Sequence, residues 1–321
     1  MRLFVGVTDN NWFKFLSRLA SASGAGLDEV NFWLPSPESF HALAPGELFL
    51  FKLHRTAETG YQDLIAGGGI FVSYSILPLS LAWQAFGEKN GAPSLPELRT
   101  RISAYRRQSP LTHEDFKIGC LILTQPFFLD RESWFEIPGW SAPIVRGKGY
   151  STEDEVGRYL WRKITELWAR KNMEELSKEA KRIEEERARY GRETIIRPRL
   201  GQGAFRVVVT DAYRRMCAIT TEKALPALEA AHIKPFSESG PHAIYNGLLL
   251  RSDLHRLLDA GYLTITPDYF VEISPRLKED FENGQSYYKH HGQKLVNLPP
   301  DPRDWPDPQF LTWHNENIFK G

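Results

Sequence analysis

Cysteine is nearly missing from this chain: Cys120 and Cys217 are the only two, far apart and outside any CxxC pair. A disulfide framework is thereby excluded, and so is a four-cysteine structural zinc. Both residues read as small core side chains. Long apolar runs are missing as well. No stretch approaches a membrane span, and MRLFVGVTDNN lacks the basic-then-apolar layout of a secretory leader, so a cytoplasmic protein with no membrane partner is expected. Net charge is zero, with 40 Lys+Arg against 40 Asp+Glu. That argues against indiscriminate coating of nucleic acid, though not against a local site. There are no internal repeats.

What remains is an ordinary globular composition, 42% hydrophobic and 25% charged, on 321 residues, enough for two domains with separate cores. Arg2–Val7 reads as a strand. Thr8-Asp9-Asn10-Asn11 offers N-cap oxygens to a helix bearing Trp12, Phe15, Leu16 and Leu19. Val30–Leu34, Glu47–Leu53, Ile70–Ser75 and Ile118–Thr124 read as further strands, with helices over Leu79–Phe86 and Leu95–Arg106. This is an α+β pattern, predicted to form a first domain over residues 1–150. Residues 151–191 follow as a charged helical connector that begins as the last helix of the first domain, and its ten basic and ten acidic residues over Ser151–Tyr190 suit a solvated helix better than a DNA-binding stripe.

Residues 192–321 form the predicted second domain. A helix is expected over Phe205–Arg215, and the richest stretch is Leu228–Gly261. Leu228–Ile233 reads as a strand ending near His232, Asn246–Leu250 as a second strand, and Ser252–Asp259 as a helix with Ser252 as its N-cap. Tyr262–Thr266 and Tyr269–Ile273 suggest a hairpin, and the Pro-rich tail Leu298–Gly321 an irregular strap. From Ile196 to Ala260 there are nine Lys+Arg against six Asp+Glu, so this segment is mildly basic within a neutral chain.

The order His232, Asn246, His255 resembles the HNH nuclease motif, a ββα unit built around one divalent metal. The flanking blocks RLGQGAFR (199–206), Tyr213, CAIT (217–220), AHIKP (231–235), NGLLL (246–250) and Asp259-Ala260-Gly261 are similar to a branch common in bacterial restriction-type nucleases. The resemblance implies metal-dependent phosphodiester hydrolysis with His232 as general base, a neutral imidazole that can accept a proton near pH 7. Asn246 either pins the loop between the strands or, as in some relatives, binds the metal. His255 and Asp259, four apart on one helix face, would hold the ion. One departure is Ala231, where many members of the family carry a third ligand before the base. Strand alternation points Glu229 away from the side of His232, so it offers no obvious replacement. Mg or Mn fits such a site, as do Ni or Zn. Arg199, Gln202, Arg206 and Lys234 are candidate phosphate contacts, and His242 reads as a bystander in the loop.

The first domain resembles the PUA-like superfamily (EVE, ASCH, YTH and SRA branches) through Asn31-Phe32-Trp33-Leu34, Pro45-Gly46-Glu47 and Ile65–Ile70. That implies a small curved β-barrel that reads a flipped, modified base in an aromatic pocket. Phe32, Trp33, Tyr74 and Trp83 are candidate walls, and Ser36 and Ser73 candidate polar contacts. Together the resemblances imply a modification-dependent DNA endonuclease of restriction type acting on double-stranded DNA that carries a modified base such as modified cytosine. It would work as a homodimer when both strands are cut. The alternatives are an HNH nuclease reading unmodified DNA, RNA or a nucleotide signal, and a non-catalytic nucleic-acid binder that has lost its metal with the ligand at position 231.

Overall fold

The computed structural model describes residues 1–24, 26–60, 62–107, 114–141, 144, 146–171, 200–282 and 284–321, and divides into two units, 1–199 and 200–321. In the first unit the order is β1 (Arg2–Thr8), α1 (Asn10–Ala22), β2 (Glu29–Leu34), β3 (Leu48–Leu53), β4 (Leu64–Pro78), α2 (Leu79–Phe86), α3 (Leu95–Arg106), β5 (Lys117–Phe128), β6 (Phe135–Glu136), β7 (Gly147–Ser151) and α4 (Glu155–Lys171). One mixed sheet runs β2-β5-β4-β3-β1-β7, with β6 paired to β4. The pair β1–β3 is parallel, and the other neighbours along that path are antiparallel.

The ends of this path, β2 and β7, are not paired with each other among the described residues. In place of the expected closed barrel there is an open sheet that curls. Register shifts between Phe51 and Lys52, Gly68 and Ile70, and Phe71 and Ser73 supply the bending. The curl is deep enough for Phe32 of β2 to meet Phe49 of β3 with ring centroids 4.7 Å apart. Trp12 of α1 packs into the same concave side, with its Nε1 donating to the Asn31 carbonyl at 3.1 Å and its ring against Phe51. On the opposite face Leu3, Val5, Leu48 and Leu50 are covered by Leu160 and Ile164 of α4, all six fully buried. The start of the expected connector therefore belongs to the first unit's core; the rest of it, after residue 171, lies outside the described residues.

The expected strand at Ile70–Ser75 begins six residues earlier, because Gly67-Gly68-Gly69 lies within β4. A Cβ on Gly67 would stand 2.3 Å from the Phe127 carbonyl oxygen, so the missing side chain permits close strand approach.

The second unit contains α5 (Gln202–Ala212), β8 (Leu228–His232), β9 (Gly247–Arg251), α6 (Ser252–Asp259), β10 (Leu263–Ile265), β11 (Val271–Ile273), α7 (Arg276–Phe281), α8 (Gln285–Tyr288) and α9 (Pro308–Asn317). β8 and β9 form an antiparallel pair in which His232 faces Gly247 and Ala231 faces Leu248. Phe205, Val209, Tyr213, Leu248, Leu249, Leu250, Leu254 and Leu258 fill the core between this hairpin and its helices. Each fully buried leucine contributes roughly 2 kcal/mol.

Two local expectations change here. Ser252 is the first residue of α6, and the cap position falls to Arg251, whose guanidinium pairs with Asp253 instead of capping the backbone. The tail is also no strap throughout. Asp307 accepts from the Gln309 N–H at 2.9 Å and Pro308 starts α9, a helix-start signal that the surrounding prolines obscured.

Candidate active site

Asn246 is completely buried between the two strands of the hairpin. Its Oδ1 accepts from the Lys234 N–H, while its Nδ2 donates to the carbonyls of Lys234 and Pro241, all at 2.9 Å. One amide thus ties both ends of the 233–245 loop, satisfying three backbone groups that would otherwise be stranded. Gly247 follows because α5 lies directly on this spot: a Cβ there would come within 2.7 Å of Val209 Cγ2. Tyr213 holds the same corner, its hydroxyl donating to the Gly247 carbonyl at 3.1 Å. The CAIT block is docked to β9 by the Ala218 N–H donating to the Leu249 carbonyl at 2.7 Å.

His232, at the end of β8, lies flat on Phe205 of α5 with ring centroids 3.8 Å apart and planes 11° apart. Its Nε2 is 2.9 Å from Nδ1 of His242. Burial, with the neighbouring His242 and His255 adding to it, lowers the His232 pKa from 6.5 to about 4. The ring is therefore neutral across the physiological range and can accept a proton. His242 in turn stacks on Phe236 at 4.5 Å and 8°.

On α6, His255 Nε2 lies 3.3 Å from Asp259 Oδ2, the one-face arrangement that an i,i+4 pair allows. Its other nitrogen, Nδ1, is 2.7 Å from Glu229 Oε2 on β8. Strand alternation alone turns Glu229 away from His232 and gives it no role; the fold brings it across to His255 on α6. A carboxylate on one imidazole nitrogen fixes the tautomer that leaves the other free to ligate. The Asp259 side chain is 61% exposed. Partial desolvation raises its carboxyl pKa, His255 opposes that, and the Glu229 charge adds to it.

The donor set therefore fits one hard or borderline cation: an imidazole nitrogen and a carboxylate oxygen converge, with room beyond them for water and phosphate. Ala231 is fully buried in the core and offers no ligand. Among the described residues no group of three or more His, Cys, Asp or Glu side chains is arranged as a complete metal cage.

Of the candidate phosphate contacts, Gln202 is exposed in the first turn of α5, and Arg206 is half-buried one turn later. Lys234 Nζ stands 5.1 Å from the Trp313 ring centroid. Arg199 lies outside the described residues.

The first unit has its own cavity of ≈ 550 Å³, lined by Trp12, Phe32, Trp33, Ser36 and Tyr105 and, around them, the polar groups of Asp9, Glu38, His54, Arg107 and Arg146. The Trp33 Nε1 donates to the Asn90 carbonyl at 3.1 Å, and the Tyr105 hydroxyl donates to Asp9 Oδ2 at 2.7 Å. The scaffold thereby fixes both rings. Burial lowers the His54 pKa, with Asp9 opposing and Lys52 adding to the shift. Phe32, Trp33 and Ser36 are thus brought together, whereas Ser73, Tyr74 and Trp83 are placed apart from this cavity. Among the described residues the Ser73 hydroxyl is buried without a hydrogen-bond partner, Tyr74 donates to the Glu38 carbonyl, and Trp83 sits half-buried on α2. Trp12 and Tyr105 are the walls that sequence reasoning missed. Trp12 looked like one more apolar helix position, and Tyr105 stands 72 residues beyond Trp33 with nothing local to join them.

Residues 217–266 match the HNH_2 family, described as HNH endonuclease. This segment carries an HNH endonuclease domain. The match contains β8, β9, α6 and β10, hence His232, Asn246, His255 and Asp259 together. No curated protein matches the chain. Among solved structures the chain is similar to "Modification dependent TagI restriction endonuclease", with 14% identity, covering 92% of this chain and 78% of that one, at a TM-score of 0.28. A score that low carries no weight for fold or function. No helix among the described residues is long and apolar enough to cross a membrane.

Proposed function

We propose that this protein is a modification-dependent DNA endonuclease of restriction type, cutting with a one-metal HNH site and choosing its target through the first unit. The observation that carries the nuclease half is the matched HNH segment with a neutral His232 and the His255/Asp259 pair in their places. His232 takes the proton of the attacking water: the water O–H breaks as an N–H forms, the hydroxide oxygen bonds to phosphorus, and the P–O bond to the leaving oxygen breaks. His255 and Asp259 would hold a divalent ion, Mg²⁺ or Mn²⁺ before Ni²⁺ or Zn²⁺. When bound, such an ion neutralises charge on the non-bridging and leaving oxygens. Glu229 keeps His255 in the ligating tautomer, and Asn246 holds the loop that carries Lys234. Gln202, Arg206, Lys234 and Arg199 are the candidate phosphate contacts beside the cut.

For the reading half, the support is a cavity of a size suited to a small planar ligand, lined by Phe32, Trp33 and Tyr105 together with polar side chains. A PUA-like reader of modified cytosine in double-stranded DNA suits this arrangement. One HNH site cuts one strand, so a double-strand break calls for two copies. The test is a digest panel of plasmids, each with a defined cytosine modification or none, with Mg²⁺ or Mn²⁺. Cutting confined to one modified plasmid is the expected outcome. Equal cutting of all would remove the modified-base reader and leave the nuclease. No cutting, with no metal-induced rise in Tm, would favour a non-catalytic binder.

A further inference from the structure

We propose that His242 is a positioning residue for His232: its Nδ1 accepts the His232 Nε2–H and so fixes the tautomer in which His232 Nδ1 keeps a free lone pair for the attacking water. This rests on the reading of His232 as the base. Nothing in the spacing of the motif requires a histidine here, and by sequence alone His242 reads as a bystander.

The geometry points to it in three ways. The two ring nitrogens are 2.9 Å apart, so one proton is shared along a single line between Nε2 of His232 and Nδ1 of His242. If His242 supplied that proton, His232 Nε2 would be the acceptor and its remaining proton would sit on Nδ1, which leaves neither nitrogen available to water. With His232 as donor, Nδ1 is the basic nitrogen, and a charge developing on that ring meets an acceptor already in place.

Each imidazole is also held face to face with one phenyl ring. Phe205 lies on His232 and Phe236 on His242, at interplanar angles of 11° and 8°. The two imidazoles themselves are inclined at 59°, with centroids 4.9 Å apart, so they meet through their nitrogens and not through their faces. Finally, the loop that delivers His242 is built to a fixed shape. Ser239 takes a left-handed φ of 63°, Gly240 passes so close to Lys234 that a Cβ would stand 1.9 Å from its carbonyl oxygen, and Asn246 ties the Pro241 carbonyl directly beside His242. Phe236, 65% exposed, keeps its place against His242 where an unsupported phenyl ring would be a liability.

The experiment uses the full chain labelled with ¹⁵N-histidine and kept free of metal, in which the ring nitrogen shifts of His232 report its tautomer at pH 7, assigned by comparison with His232→Gln. The expected result is a protonated Nε2 and a bare Nδ1 on His232. His242→Phe keeps a ring against Phe236 but removes the acceptor, and should give a tautomer mixture at His232 with kcat for nicking down about tenfold or more and KM unchanged. His242→Asn restores an acceptor oxygen near the Nδ1 position, and should recover both the tautomer and most of kcat. A protonated Nδ1 on His232 in the native protein overturns the proposal, as does a His242→Phe chain that keeps the native tautomer and kcat within twofold. If His242→Phe fails to fold, the native and His242→Asn spectra decide it. If the native chain does not nick DNA at all, the nuclease reading falls while the tautomer still tests the His242 contact.

Discussion

The two units use aromatic rings in opposite ways. In the first, Trp12, Phe32, Phe49 and Phe51 pack mostly at steep angles inside a curled sheet, and what they support is a shape: a cavity that Trp12 and Phe32 help to line. In the second, Phe205 and Phe236 lie flat on two imidazoles, and what they build is a chemical state, a neutral histidine with one nitrogen engaged. Shape depends on strands far apart in sequence, whereas the state of His232 depends on a loop of a dozen residues and one helix. The difference explains why the proposed cutting can be tested at particular atoms and the proposed reading only at a cavity.

Breaking the second region should have the largest effect. His255→Ala and Asp259→Asn should each lower nicking about 10³-fold, near 4 kcal/mol in barrier, and abolish any rise in Tm that Mn²⁺ gives the native chain. Asn246→Ala comes next. It strands the Lys234 N–H and two carbonyls, and should cost about 3 kcal/mol in chemical denaturation as well as activity. In the first region the effect should be smaller and of a different kind. Tyr105 is 46% exposed, so Tyr105→Ala should leave stability within about 1 kcal/mol while reducing the preference for modified plasmid roughly tenfold. An equal loss of cutting on modified and unmodified DNA would contradict that division of labour.

A pH dependence belongs to the second region as well. His232 titrates at about 4 when folded and near 6.5 when unfolded. The unfolded chain therefore binds more protons between those values, and this ring lowers stability as pH falls from 6.5 towards 4. His232→Phe should flatten that part of the acid limb of the stability curve. A native His232 titrating at 6.5 by NMR would mean that the ring is not buried between Phe205 and His242 as described.

Most of the ββα unit was legible because its signals are local. Alternation, the Asn246-Gly247 pair and the i,i+4 pair on α6 each lie within a few residues, and the helices Leu79–Phe86 and Leu95–Arg106 were legible for the same reason. What was not legible crosses between elements. Glu229 was judged on its own strand and missed its partner on α6. His242 looked idle because its contact with His232 depends on the path of the loop. The strand at Ile70 was expected to begin after Gly67–Gly69, whereas these glycines lie within it, where they allow neighbouring strands to approach. The helix at Pro308 was hidden by prolines that usually signal irregular chain, although Asp307-Pro308 is itself a start signal. The cavity was half seen: Phe32, Trp33 and Ser36 share one strand end, whereas Trp12 and Tyr105 reach it from two helices.

The central claim is that His232 is the base of a site directed by a modified base, and the most direct measurement is nicking of paired plasmids, modified and unmodified, by the native chain and by His232→Ala with Mn²⁺. The account predicts cutting of the modified plasmid by the native chain, little on the unmodified one, and a fall of about 10³-fold for His232→Ala on the modified plasmid. Undiminished cutting by His232→Ala would contradict it.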